Sequence, residues 1–221
     1  MMERFEVNAY WWTPCLIAIV IVQMFTLFCI IQVHRWAHHQ TISQIYKEAV
    51  IHDPPMGFPL DRLDISAASE ISSPSRPILV VVFGSCEGCG EGMVQEWAST
   101  LSWKTWQKEF TSILVFRERA EKVREAARKG RWQVKAVADE SGQIASTLNA
   151  FFVPRAYGFV DGKLVWLQKE PKRSVVETLE SFLKAVKGED AVSKVMDAWA
   201  HEMREKAWGK EMAELARSGR R

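Results

Sequence analysis

Cysteine is scarce in this 221-residue chain. There are four, and only Cys86 and Cys89 stand outside one long apolar run near the N-terminus. That is too few for a disulfide-built scaffold. No second Cys-X-X-Cys exists, and His201 is the one histidine after residue 90. A structural zinc site needs four ligands, so the Cys pair alone falls two short. His34, His38, His39 and His52 lie far upstream in the sequence. No metal and no cofactor is expected. Strong charge of one sign is also missing. Lys and Arg total 29 against 27 Asp and Glu, a net +2, with no basic cluster interleaved with aromatics. Nucleic acid is therefore not an expected partner.

What is present begins with residues 14–33, which carry no formal charge. A helix needs about 20 apolar residues to cross a bilayer. Gln23, Thr26 and Gln32 are too few to give this stretch the polar stripe of a soluble core helix. Trp11, Trp12 and Trp36 flank it. Trp12 and Trp36 are separated by about 36 Å of helix, which sets the indoles near the two headgroup regions. The apolar stretch exceeds the h-region of a signal peptide, and bulky His34-Arg35-Trp36 follows it where a cleavage site needs small residues. An uncleaved anchor contacting lipid through residues 12–36 is expected. Arg4 precedes the span while Arg35 and Lys47 follow it, a one-residue bias toward a cytoplasmic C-terminus. Cys15 and Cys29, inside the span, read as apolar fillers.

Residues 34–48 continue a helical spacing through Ile42, Ile45 and Ala49, and His52-Asp53-Pro54-Pro55 ends it. Residues 66–77, with five serines and two prolines, read as a surface connection. From about 77 to 183 strands alternate with helices. The sequence predicts strands at 78–83, 112–116 and 132–138, and helices at 93–106, 120–128 (capped by Gly130) and 143–151. A hairpin of 155–160 and 163–167 turns at Asp161-Gly162. A helix over 174–186 ends at Gly188. Parallel pairing with an antiparallel edge follows. From residue 189 a charged helix carries Val192, Met196, Trp199 and Met203 at helical spacing. That stripe fits packing on its own domain, or contact with a partner or a membrane surface. Arg217, Arg220 and Arg221 read as a solvated tail.

The chemistry lies in Cys86-Glu87-Gly88-Cys89, directly after the apolar strand. If Cys86 occupies the first turn of the following helix, unpaired N–H groups and the helix dipole favour its thiolate. Cys86 is then the nucleophile in disulfide exchange, and Cys89 resolves the mixed disulfide. Glu87 either relays protons, opposes the thiolate by like charge, or is merely solvated. Val153-Pro154 lies between the short helix and the hairpin. If its bond is cis, the Val153 backbone is free to pair with an extended substrate; the other reading is an ordinary proline at a strand start.

The order of elements resembles a thioredoxin-like fold, and more narrowly the membrane-tethered TlpA/ResA-type thiol-disulfide oxidoreductases of bacteria. The matching pieces are the N-terminal anchor, Ile78 to Phe83 leading into Cys86-Glu-Gly-Cys89, and Val134 to Asp139. Then come Ser141-Gly142, Val153-Pro154 and Phe159-Val160-Asp161-Gly162-Lys163-Leu164-Val165. Gly57-Phe58-Pro59-Leu60-Asp61 matches an entry segment. The resemblance covers roughly 55–185. It implies an α/β, thioredoxin-like three-layer sandwich with a central mixed sheet behind a single transmembrane helix. It also implies Cys86 as nucleophile, Cys89 as resolving thiol, Pro154 in cis, and a domain outside the cytoplasm. Large domains translocate largely regardless of flanking charge, which outweighs the one-residue bias. The sequence departs from the family at Ser85, where Trp is usual, and at Arg155, where a small hydroxyl residue is usual. Thioredoxin itself has a buried Asp where Val80 stands. Arg155 would set a cation beside the exchange site, with Val153 and Glu87 as the other substrate contacts.

The expected organisation is an anchor (1–36), a helical stalk and linker (37–76), a thioredoxin-like domain (77–188, entry segment from about 55) and a C-terminal amphipathic helix (189–221). The expected activity is disulfide exchange with protein thiols, with a membrane or soluble electron donor as second partner. Two alternatives stand beside it. One is a thioredoxin-like binding or scaffold module with a static disulfide. The other is a peroxiredoxin-like peroxidase, though Phe83 stands where those enzymes carry Thr or Ser.

Overall fold

The computed structural model describes residues 12–65, 76–85, 90–171 and 174–218. The chain divides into two compact units, Met1–Ile51 and His52–Arg221. The first unit holds α1 (Trp12–Val50), a 39-residue helix. Its stretch Pro14–Trp36 is long and apolar enough to cross a membrane, and none of it is buried within the protein. Apolar side chains are exposed all round this stretch, Leu16, Val20, Met24, Phe28 and Ile31 among them. The Thr26 hydroxyl donates to the Val22 carbonyl at 2.8 Å, so it needs no outside partner in an apolar setting. The helix stops before Pro54-Pro55, as proline demands.

The second unit is built on a five-stranded sheet of order β3-β2-β1-β4-β5. β1 (Ile78–Phe83) is central and all six of its residues are buried. It pairs in parallel with β2 (Thr111–Phe116), which pairs in parallel with β3 (Lys135–Ala138). On its other side β1 runs antiparallel to β4 (Arg155–Val160), from Ile78 opposite Phe159 to Val82 opposite Arg155. β4 and β5 (Lys163–Leu167) form the hairpin predicted from Asp161-Gly162. Both turn residues have positive φ, 50° and 71°, the backbone that an Asp-Gly hairpin turn supplies. The free edge of β5 is partly covered by the entry segment. Gly57 N–H donates to the Leu164 carbonyl at 2.8 Å, Leu164 N–H to Phe58 at 2.9 Å, and Leu60 N–H to Gly162 at 2.8 Å. A covered edge is closed to pairing with another chain.

Successive β1 side chains point to opposite faces, and two cores result. Leu79, Val81 and Phe83 face a layer made by α2 (Glu91–Leu101), α3 (Lys104–Glu109), α4 (Ala120–Gly130) and α6 (Val175–Lys187). Val80 and Val82 face α5 (Gln143–Thr147) and the entry-segment residues Leu60, Leu63 and Ile65. The result is the expected three-layer sandwich with a mixed sheet.

Three elements differ from the sequence expectation. The helix predicted over 93–106 is two helices. Ser102 Oγ donates back to the Ala98 carbonyl at 2.5 Å, and buried Trp103 takes extended backbone before α3 restarts. Gly130 does not cap α4 but is its last residue, and Arg131 takes the left-handed conformation at φ 52°. Glycine at 130 is required for space: a Cβ there would meet the Trp132 Nε1 at 2.2 Å. Trp132 stacks on Phe116 at 5.4 Å, so residues 131–134 make a packed turn and β3 starts only at Lys135. α5 ends at Thr147 because Asn149, at φ 51°, turns the chain toward β4.

α7 (Glu189–Ser218) packs its first half on its own domain. Val192, Val195, Met196 and Trp199 lie against the core, and Trp199 meets Trp103 edge-to-face at 6.0 Å. The Glu202 carboxylate accepts from Lys104 N–H and Thr105 N–H, both at 3.1 Å, and from Thr105 Oγ1 at 3.0 Å. It thereby caps the start of α3, which has no side-chain cap of its own.

Candidate functional site

β1 ends at Phe83, and the chain continues through Gly84 and Ser85, both half-buried. The Gly84 carbonyl accepts from Arg117 N–H at 3.1 Å, which extends the β1–β2 ladder by one step. Cys86, Glu87 and Cys89 lie outside the described residues. The chain is described again at Gly90, whose φ of 74° and ψ of 128° are not helical, and α2 begins at Glu91. The expected placement of Cys86 in a first helical turn falls on residues outside those described.

Val153-Pro154 comes to the same end of the sheet. Arg155 is opposite Val82, so the two residues before it stand beside the exit of β1 toward the cysteines. The Val153-Pro154 peptide bond is cis. Val153 is 44% exposed, a high value for a large apolar side chain. Met93, in the first turn of α2 and so on the other flank of the motif, is similarly exposed.

Arg155, expected as a cation and substrate contact beside the exchange site, is not available at the surface. It is fully buried, at 0% exposure. Its Nη1 and Nη2 donate to the two Asp53 carboxylate oxygens, each at 2.7 Å. Nη1 also donates to the Asn149 carbonyl at 2.5 Å, and Nε to the Gln168 carbonyl at 2.9 Å. The guanidinium lies over Phe151 at 4.4 Å and near Phe152 and Tyr157 at 5.1 and 5.5 Å. A buried guanidinium is tolerated when its donors are met and a carboxylate opposes it. Asn149 Nδ2 donates to Asp53 Oδ1 at 2.8 Å, holding the carboxylate in turn. Burial pushes the Tyr157 phenol well above its ordinary range, against the opposing pull of Arg155.

Asp53, Asn149 and Gln168 carry this arrangement, and sequence reasoning did not single them out. Asp53 reads only as part of the proline-rich stop after α1. The available signal is Arg155 itself: an arginine in a buried strand requires a carboxylate somewhere in the fold. Val80 is fully buried in β1, so no titratable group occupies its place under the motif. Among the described residues no cluster of His, Cys, Asp and Glu suits a metal ion.

No family model matches the chain, and no curated protein matches it. Solved structures do. One is an uncharacterized thioredoxin-like protein from Porphyromonas gingivalis, 18% identical over 52% of this chain and 78% of that one, with a TM-score of 0.44. Another is StoA from Bacillus subtilis, 13% identical over 51% and 85%, TM-score 0.38. A third is a secreted Mycobacterium tuberculosis disulfide oxidoreductase homologous to E. coli DsbE, 12% identical over 50% and 82%, TM-score 0.40. The strand order, the parallel β1–β2–β3 half, the antiparallel β4–β5 hairpin and the helices on both faces stand independently of these figures. On that architecture, the His52–Arg221 unit has a thioredoxin-like fold.

Proposed function

We propose that this chain is a membrane-anchored thiol-disulfide oxidoreductase that exchanges the Cys86–Cys89 pair with protein thiols. The observation that supports it most is the β1–β4 register. It sets the exposed Val153-Pro154 segment beside the strand that leads into Cys86-Glu87-Gly88-Cys89. In the reductive direction, the Cys86 thiolate attacks one sulfur of a partner disulfide and expels the other as a thiolate. Cys89, once deprotonated, attacks Cys86 and expels the second partner thiolate. Two electrons pass to the partner, two protons complete its thiols, and Cys86–Cys89 is left as a disulfide. A separate dithiol donor restores the pair, and the reverse sequence oxidises a partner. Val153 offers backbone and side chain to an extended substrate. Arg155 serves from behind, as support for that segment.

The anchor is residues 12–36 of α1, and the proposed side for the domain is outside the cytoplasm. A topology reporter fused after Arg221 tests this: a cytoplasmic result overturns the compartment. Thiol trapping of the full-length protein tests the chemistry. A pair that cycles with dithiols supports exchange.

A further inference from the structure

We infer that Asp53 and Arg155 form a positioning pair that sets the Val153-Pro154 segment for extended protein substrates, tying it to the point where the chain enters the domain. This rests on the exchange function proposed above. The guanidinium joins four stretches of chain: Asp53 of the entry segment, Asn149 with Phe151 and Phe152, β4, and Gln168 after β5. The Val153-Pro154 segment is enclosed by these contacts. On one side Phe151 and Phe152 lie against the guanidinium, and on the other Arg155 itself follows directly. Val153 is exposed while Arg155 is wholly buried, so a surface segment is fixed by a charge beneath it.

Asp53 is the second residue of the His52–Arg221 unit, 102 positions from Arg155. Its carboxylate is 10% exposed and takes both guanidinium ends. A bidentate pair fixes orientation as well as distance, which a single contact would not. Gln168 completes the arrangement. Its carbonyl accepts from Arg155, its side-chain oxygen from Ala156 N–H at 3.1 Å, and its amide donates to the Glu170 carbonyl at 2.9 Å. The pair is a positioning device, not a reacting group. It acts on the segment that a substrate backbone would pair with.

The consequence is selective. A substrate read through its backbone depends on where Val153 sits, whereas a small aromatic disulfide needs only the cysteines. The test uses the full chain in detergent with Asp53→Asn. Exchange is measured with an extended disulfide-bearing peptide and with a small aromatic disulfide, and hydrogen exchange is followed at residues 151–155. The expected result is a KM for the peptide raised by about tenfold, with kcat and the small-disulfide rate within about twofold. Faster hydrogen exchange at 151–155, with β1 and β2 unchanged, is expected alongside. Equal losses on both substrates, or no change in peptide KM, would overturn the inference. Should Asp53→Asn lose cooperative melting, Arg155→Lys supplies the same comparison. If the unsubstituted protein exchanges neither substrate, the proposed function fails. Unchanged protection at 151–155 in the variant then separately overturns the positioning role.

Discussion

The two faces of the central sheet are built differently. One is dry and aromatic. Phe182 of α6, fully buried, meets the rings of Phe110 at 5.3 Å, Trp166 at 5.6 Å and Trp106 at 6.0 Å. Gly158 of β4 makes room for it, since a Cβ there would lie 2.5 Å from the Phe182 ring. Trp97 and Phe116 both pack on Phe83 in the same layer. The other face is mainly aliphatic, with Tyr157 and Phe159 of β4 among Val, Leu and Ile, and at its margin holds the hydrogen-bonded guanidinium of Arg155. Apolar area stabilises without direction, whereas a buried ion pair adds little net stability but fixes geometry. The aromatic face therefore supplies stability, and the Arg155 margin supplies the position of the Val153-Pro154 segment.

The comparison breaks most visibly at Phe182. Phe182→Ala should lower unfolding free energy by about 3–5 kcal/mol in urea titrations, because the ring leaves a cavity among three others. Exchange per folded molecule should stay unchanged; a raised peptide KM would dissolve the distinction between the faces. Arg155→Ala should cost about 3 kcal/mol by leaving Asp53 without its partner. Unlike Phe182→Ala, it should also raise peptide KM under folding conditions. Glu202→Ala should cost about 1 kcal/mol by removing the carboxylate that caps α3. The loss should appear as faster hydrogen exchange at Lys104 and Thr105.

The smallest effect is electrostatic. Glu109 hydrogen-bonds Lys187 of α6, and that bond holds its carboxyl below the ordinary value of 4.5, against the opposing effect of burial. The folded state then binds its proton less readily than the unfolded chain. The stabilisation is complete above about pH 4.5 and is lost as pH falls through the lower folded value. The pair is partly exposed, at 30% and 34%, so solvent screening limits it to about 0.5 kcal/mol. Glu109→Gln should cost that much at pH 7 and nothing in acid. A cost that persists at pH 3 would mean packing rather than charge.

Much of this arrangement is written locally. Residues 78–83 form an unbroken apolar run because β1 is covered on both faces, and its bounds are those observed. Asp161-Gly162 fixes the hairpin because few other pairs accept two positive φ angles. What was not legible depends on partners distant in sequence. The break at Ser102-Trp103 comes from Trp103 burying itself and from Glu202 on a remote helix. Gly130 looks like a helix cap until Trp132 is seen to need its space. Arg155 reads as a cation beside the exchange site until Asp53, 102 positions earlier, is found against it. The helix after the cysteine motif was legible, expected from Met93 and observed from Glu91, while the motif itself lies outside the described residues.

Exchange through Cys86 and Cys89 is tested most directly by the full-length protein reducing a model disulfide after dithiol treatment, beside Cys86→Ser. The expected result is turnover with one Cys86–Cys89 disulfide formed per disulfide reduced, and loss of that turnover in the variant. Equal behaviour of the two proteins, or a Cys86–Cys89 bond that survives dithiol, would contradict it.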